Sequence, residues 1–339
     1  MTADVLRYAA FTDNGAGGNP AGVVLDATGL SHSQMLAIAQ DVGYSETAFV
    51  VPDPGHQPEL GRAHRVRIRF FSPVAEVAFC GHATVATAVA LAERDGPGPL
   101  HLTTQAGPVK VETRHDARDG GILTATLTSP PTATTPAPAA VVDQALDALG
   151  WERADLDPRY PVHVSSAGNR HLILGVRSRD TLADLDYDFA ALLDLMGHQR
   201  WTTTHLFWAE NATTFHARNP FPPGGVVEDP ATGAAAAAFG GYLRQLRLAP
   251  VPSRVTIHQG HDMGVPGRLL VDLVPGSPTI QVTGTATQLP TTAVAPPPAR
   301  SPRSSHMSAS PETLGRRRRS CTTGCSATKS KPSSSARHL

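Results

Sequence analysis

Short runs in which apolar side chains alternate with polar ones recur along the whole chain. VLRYAAF, AGVVLD, ETAFVV, RVRIRFF, VKVET, LTATLT, HLILGV, RVTIHQ, LLVDLV and IQVTGTATQ are rich in Val, Ile, Thr and Phe. That period predicts strands. Helical spacing is clearest in three stretches, SHSQMLAIAQD (31–41), TVATAVALAER (84–94) and the segment 233–247. Within the last two, 85–91 and 234–239 are apolar nearly all round. A helix without a polar face is a buried helix. Each is therefore expected to run through the middle of a curved sheet or barrel.

The two halves of the chain share a plan. RIRFFSPVAEVAFCGHATVATAVALA passes from strand through a proline and an acid to a glycine turn and a small-residue helix. TFHARNPFPPGGVVEDPATGAAAAAFGGYL repeats that order. The repeat predicts an α+β protein of two pseudo-symmetric lobes, each a β-barrel-like sheet around a central buried helix. The expected division is an N-terminal lobe over 1–131, a C-terminal lobe over 132–289 whose closing strands can return to the first, and a disordered basic tail over 290–339. Both helix starts would face a cleft between the lobes.

Composition changes the picture mainly at the tail. From 290 onward the chain carries nine Lys and Arg and one acid, which leaves 20 basic against 28 acidic residues in the body, a net of about −8. An acidic body argues against nucleic acid as a partner. The body holds a single thiol, Cys80, which excludes a disulfide framework and fits a reducing compartment. No apolar run approaches a membrane span, and the first residues lack the basic-then-apolar order of a signal peptide. A cytoplasmic protein without membrane contact is expected.

Candidate chemistry gathers at the two helix starts. Gly81-His82-Ala83-Thr84 opens the first buried helix and Ala231-Thr232-Gly233-Ala234 the second. A helix start leaves about four backbone N–H groups unpaired at a positive dipole end, which suits a carboxylate. Glycine lets a ligand approach the backbone, although Gly81 and Gly233 could equally serve helix packing. His82 at such a start reads as a neutral imidazole that handles one proton, or as a core histidine paired with a carbonyl. Asp229, held extended before Pro230, stands just ahead of the second helix. Glu228 beside it reads as an ordinary acid favoured by the dipole. Glu46 in GYSETAFVV enters a strand beside Tyr44 and Phe49, where partial desolvation would equip it as a proton-transfer base. A surface glutamate is the plain alternative. The chain has no G-x-x-x-x-G-K-[ST], no G-x-G-x-x-G opening a helix, no G-x-S-x-G and no HExxH spacing. Neither a nucleotide, a cofactor nor a metal is expected.

Taken together, FTDNGAGGNPAGVV, YSETAFV, RIRFFSPVAEVAFCGHAT, SAGNRHLILGV, VEDPATGAA and VTGTA resemble, in order, the motifs of the PhzF family of phenazine-biosynthesis-like isomerases and epimerases, over roughly residues 4 to 289. The resemblance implies a diaminopimelate epimerase-like fold, cofactor-independent proton transfer on a small unsaturated carboxylate, and a homodimer. It makes Glu46 the acid/base, with His82 and Asp229 assisting. Gly81, Thr232, Gly233 and Ala234 would bind the substrate. An amino-acid epimerase and a non-catalytic carboxylate-binding protein are the alternatives. Three departures bear on chemistry. The two-thiol racemisation of diaminopimelate epimerases cannot run, because the counterpart of Cys80 is Thr232. Ala234 stands where the family often has Ser. Val265 and Gly267 stand where an Arg and a hydroxyl are usual, so the substrate is expected to differ from that of the phenazine enzyme.

Overall fold

The computed structural model describes residues 3–52, 64–117 and 120–290. The basic tail expected from 290 onward lies, beyond Pro290, outside the described residues. Six α-helices are found among the described residues: α1 (His32–Val42), α2 (Gly81–Asp95), α3 (Ala139–Leu149), α4 (Arg179–Ala183), α5 (Phe189–Gln199) and α6 (Gly233–Gln245). None is long and apolar enough to cross a membrane.

A single 16-stranded sheet carries the architecture. Eight of its strands close into a barrel in the order Leu6–Ala10, Asn19–Val24, Thr47–Pro52, His64–Phe71, Pro99–Thr104, Gly107–Asp116, Ile122–Thr128 and Gln281–Gln288. Closure occurs where Gln281–Gln288 pairs with Leu6–Ala10, Ala9 opposite Thr287. The same strand also pairs with Gly267–Leu273, from which the sheet continues through Ser253–Gln259, Thr214–Arg218, Thr203–Ala209, Asn169–Val176 and His163–Ala167 to Ala133–Pro136. Gln281–Gln288 is thus a seam shared by both halves.

The pseudo-symmetry is visible in the pairing directions. Each half has two parallel pairs set among antiparallel ones: Asn19–Val24 with Thr47–Pro52 and His64–Phe71 with Pro99–Thr104 in the first, Asn169–Val176 with Thr203–Ala209 and Thr214–Arg218 with Ser253–Gln259 in the second. A parallel pair needs a crossover, and helices supply all four. α1 crosses outside the first barrel and α2 inside it. In the second half α4 and α5 cross outside and α6 inside. This is the α+β architecture of two barrel-like halves around central helices that the alternation and the repeat predict.

Sequence explains why α2 and α6 can occupy the interiors. Every residue from His82 to Ala92 is buried, and small Ala, Thr and Val side chains let the strands come close all round. The buried hydroxyls of Thr84 and Thr87 donate back to the carbonyls of Cys80 and Ala83 at 2.6 and 2.7 Å, so they leave no orphan polar group. On α6 a Cβ at Gly240 would lie 2.6 Å from Val271 Cγ1, and one at Gly241 2.5 Å from Thr132 Cβ. Phe239 fills the space on the other side, its ring 4.6 Å from that of Phe207 and 5.0 Å edge-on from that of Phe215.

Outer helices form a second layer. α1 opens with a capping box, in which Ser31 Oγ accepts from the Gln34 amide at 3.3 Å and Gln34 Oε1 accepts from the Ser31 amide at 2.8 Å. It buries Met35 and Ala39 against Phe49 and Phe71. α3 and α5 pack Leu146, Leu149, Leu192 and Met196 on Leu172, Leu174 and Leu206. Strand Asn169–Val176 is consequently apolar on both faces, with Ile173 turned to the α6 core and its neighbours to the outer helices. That double burial is why HLILGV is among the most continuously apolar of the runs that predict strands. Truncation of Phe239 to Ala should leave a cavity inside the second half and lower unfolding free energy by about 3–5 kcal/mol. Urea denaturation of the two proteins side by side checks this, and an unchanged midpoint would contradict the packing described.

Candidate active site

Both central helices start without a side-chain cap, at Cys80 for α2 and at Thr232 for α6. The first turn of each therefore keeps backbone donors for another partner. Around the α2 start the structure gathers the predicted Glu46 and His82 with two side chains not predicted for the site, Cys80 and Ser45. Glu46 immediately precedes strand Thr47–Pro52, and its carbonyl accepts from Gly22 N at 3.1 Å. Gly22 has no room for a side chain, because a Cβ there would lie 2.6 Å from Thr47 Oγ1. The strand can then sit close enough for Glu46 Oε2 to stand 3.4 Å from His82 Nε2 and 3.5 Å from Cys80 Sγ. Ser45 Oγ, which sequence reading leaves unremarked, lies 3.4 Å from the same imidazole nitrogen. His82 Nδ1 lies 3.3 Å from Cys80 Sγ. His82 is nearly enclosed and the Glu46 side chain keeps 19% of its surface exposed, so of the three ionisable side chains the carboxylate is the one a ligand can reach, with the exposed Ser45 beside it.

At the α6 start Asp229 is held on both oxygens. Asn19 Nδ2 donates to Oδ1 at 2.7 Å and Thr232 Oγ1 donates to Oδ2 at 2.6 Å. Gln259 Oε1 accepts from Thr232 N at 3.1 Å, while its Nε2 donates to the Asp229 carbonyl at 2.6 Å and to Thr232 Oγ1 at 3.0 Å. Asn19 and Gln259 are fully buried and were not singled out from sequence. The available signal was an amide opening the otherwise apolar strand Asn19–Val24; Gln259 ends the mixed strand SRVTIHQ and has no such mark. Thr232, expected among the substrate-binding residues, points its hydroxyl at Asp229. Gly81, Gly233 and Ala234 are half-buried at the helix starts, and a Cβ at Gly233 would meet Phe11 Cζ at 3.3 Å. A side chain at Gly267 would meet the carbonyls of Gln259 and Phe11 at 3.1 and 3.2 Å, so the position of the absent hydroxyl is packed.

Electrostatics join the two starts into one site. Burial pushes the Asp229 carboxyl above the ordinary carboxylate range, the nearby His82 and the Thr232 and Asn19 bonds oppose that, and the Glu46 charge adds to it. Burial also raises the Cys80 thiol well above its ordinary value, reinforced by the carboxylates of Glu46 and Asp229. Cys80 is therefore a protonated thiol at neutral pH. Glu46, Cys80 and His82 present ligand atoms within 4.8 Å of one another, but a metal there would have to displace a proton held by burial and two acids.

Glu228 has a different role, which the repeat makes plain. Arg218 Nε donates to Glu228 Oε2 at 2.9 Å, and a second guanidinium nitrogen closes on Oε1. In the first half Arg69 grips Glu76 in the same bidentate way, at 2.8 and 2.7 Å. Each pair clasps the strand before a central helix to the segment that leads into it. Away from the site, a groove of about 600 Å³ bordered by Val51, Arg65, Arg67, His101 and Lys110 lies on the outer strands of the first barrel and contains none of the predicted site residues.

The arrangement is thus a partly exposed carboxylate beside an imidazole, set at an uncapped helix start. Residues 8–291 match the family model described as PhzC-PhzF, phenazine biosynthesis-like protein, and the chain belongs to that family. It is 32% identical over 288 residues to an uncharacterized isomerase of Mesorhizobium japonicum, covering 80% of this chain and 91% of the relative. It is 31% identical over 264 residues to the trans-2,3-dihydro-3-hydroxyanthranilate isomerase of Pseudomonas aeruginosa, covering 77% and 86%. Among solved structures, the PhzF-family phenazine biosynthesis protein of Bacillus anthracis superposes with a TM-score of 0.73 at 27% identity, covering 86% of this chain and 98% of the other. With relatives named as isomerases, the chain is an isomerase of this family.

Protonation and burial of Cys80 predict poor reactivity. Alkylation by iodoacetamide at about pH 8, followed peptide by peptide in a mass spectrometer, should be roughly 100-fold slower at Cys80 in the folded protein than in urea. Comparable rates in the two states would show an exposed or ionised thiol.

Proposed function

We propose that this isomerase moves a proton between two carbons of a small unsaturated carboxylate, with Glu46 as the acid/base. The observation that carries the reading is the Glu46 carboxylate, reachable from solvent, set 3.4 Å from His82 Nε2 at the uncapped start of α2. Glu46 takes the proton from carbon, the electron pair shifts through the adjacent double bond, and the same carboxyl returns the proton at the far carbon. Atoms and charge balance without a redox centre. Negative charge that develops on the substrate carboxylate is met by backbone donors at the starts of α2 and α6, near Gly81 and Gly233. Asp229, fixed by Asn19 and Thr232, orients the far side of the substrate. The name of the Pseudomonas aeruginosa relative supplies the substrate class, a cyclic dihydro-hydroxy carboxylate.

One polarity favours an isomerase over a two-base epimerase. The two-thiol arrangement is missing its second member, and Thr232 donates its hydroxyl proton to Asp229 and so is not free to act as a base. Chiral analysis of the product distinguishes the two outcomes, since an epimerase inverts one centre and leaves the double bonds in place.

Candidate dihydro-hydroxy carboxylates should be incubated with the protein in deuterium oxide and followed by NMR. Turnover with deuterium uptake at one carbon is expected, and Glu46→Gln should reduce both by at least about 1,000-fold while a ligand-induced rise in melting temperature persists. Full activity in Glu46→Gln would remove Glu46 from the mechanism. A melting shift in the wild type with no deuterium uptake from any carboxylate would identify a binding protein instead.

A further inference from the structure

A second group of titratable side chains lies outside the Glu46 site. Asp13 Oδ2 stands 3.7 Å from His258 Nδ1 and 3.8 Å from His261 Nε2, and ligand atoms of the three residues all lie within 4.8 Å of one another. Asp13 belongs to a tight turn closed by two backbone bonds of 3.0 Å with Ala16. Asn14 and Gly15 both have positive φ there, 50° and 80°, as an Asn-Gly turn of the mirror-image type requires. His258 lies on strand Ser253–Gln259 and His261 on the 3-10 turn that follows it. All three positions are thus fixed by backbone structure before any ligand arrives.

The spacing is unusual for a simple acid–imidazole cluster. Neither histidine is close enough to Asp13 for a hydrogen bond, and His258 Nδ1 is a buried nitrogen with no hydrogen-bond partner. A nitrogen shut away from water without a partner costs stability unless something else fills the space. Donors of a tetrahedral Zn²⁺ with bonds of about 2.0–2.2 Å stand about 3.3–3.4 Å apart, a few tenths of an ångström inside the distances found. The other Asp13 oxygen, Oδ1, faces Arg268 Nε at 3.5 Å, which orients the carboxylate and leaves Oδ2 toward the imidazoles. Burial holds His258 and His261 below the ordinary histidine range, and a neutral imidazole is the ligating form. Next to them His216, with ring centroids 5.2 Å from His258 and 6.2 Å from His261, pairs its Nε2 with Glu210 at 2.9 Å. That bond leaves His216 Nδ1 as a second buried nitrogen without a partner. His261 is partly exposed, so an ion has a path in from solvent.

We propose that Asp13, His258 and His261 form a binding site for a divalent transition-metal ion of the Zn²⁺ class, with water or His216 completing the shell. Two imidazoles and one carboxylate suit Zn²⁺, Co²⁺ or Ni²⁺ and not Mg²⁺ or Ca²⁺. The ion would fasten the Asp13 turn to the second half. The same N-terminal loop ends at Asn19, which holds Asp229, so the clamp would act on the placement of that residue without touching substrate.

Metal-stripped full-length protein should be titrated with Co²⁺ and read by visible absorption and calorimetry, in wild type, His258→Ala, His261→Asn, Asp13→Asn and Cys80→Ser. One equivalent bound with a ligand-field spectrum free of thiolate charge transfer is expected, displaced by Zn²⁺ and accompanied by a rise in melting temperature. Each of the three ligand substitutions should weaken binding at least about tenfold, and Cys80→Ser should not. Circular dichroism and the metal-free melting temperature identify a variant that has failed to fold, in which case the remaining ligand variants decide. Absence of stoichiometric binding, binding that survives the His258→Ala/His261→Asn pair, or a thiolate band would each overturn the proposal.

Discussion

A helix surrounded by its own barrel is the constraint on which the rest of this molecule depends. It has no polar face, so every side chain along it must be small or must fill a defined gap between strands. α2 meets this with Ala, Thr and Val and with two threonine hydroxyls turned back onto the helix. α6 meets it with five consecutive alanines, two glycines against the strands and two aromatic rings on the opposite side. Such a helix also ends inside the protein at its N-terminus, where unpaired backbone donors cannot be left without partners. The absence of a side-chain cap at Cys80 and Thr232 then amounts to a built-in preference for an anion.

The duplication supplies the frame and the departures from it supply the function. Arg69–Glu76 and Arg218–Glu228 are equivalent clasps, and both acids belong to the scaffold. The groups that face the centre do not repeat. Glu46 comes only from the strand entry of the first half; where the second half enters its corresponding strand, Arg200, Trp201 and Thr202 stand instead. Asp229 comes only from the second half, opposite Val77 in the first. Where the first half has a thiol the second has a hydroxyl committed to Asp229. A symmetric pair of bases would suit removal and delivery of a proton on opposite faces, whereas one exposed carboxylate with unlike neighbours suits transfer by a single group.

Much of this was legible before any coordinates. Two apolar helices in a strand-rich chain forced the barrel-with-helix plan, and the internal repeat forced its doubling. Position relative to strand and helix starts made Glu46, His82 and Asp229 candidates but left plain structural readings open, and the family resemblance is what singled them out. What was not legible depended on distance in sequence. Asn19 and Asp229 are 210 residues apart, and nothing local marks an amide in a strand as the holder of a remote carboxylate. The Asp13, His258 and His261 group likewise has no motif spacing, because one member comes from the opposite end of the chain. α3 and α5 are hard to read for another reason. AAVVDQALDAL and FAALLDLMGHQ have helical spacing, but the proline-rich approach to the first and the strand-like apolar runs around both draw attention to the sheet they cover.

The seam strand has a consequence for how the molecule is made. Gln281–Gln288 closes the first barrel by pairing with Leu6–Ala10, and Thr12 and Thr285 exchange hydroxyl contacts across a separation of 273 residues. A ribosome delivering this chain N-terminus first has synthesised seven of the eight staves, and the helix they enclose, long before the eighth exists. Until residue 288 emerges, the first half is an open trough with α2 laid along it and two unpaired edges, those of Leu6–Ala10 and Ile122–Thr128. Closure of the first barrel therefore waits for residues 281–288, and the interval before they emerge is when exposed strand edges are available to other chains. A duplicated protein that looks divisible into two domains is, in its folding, one unit completed by its last strand.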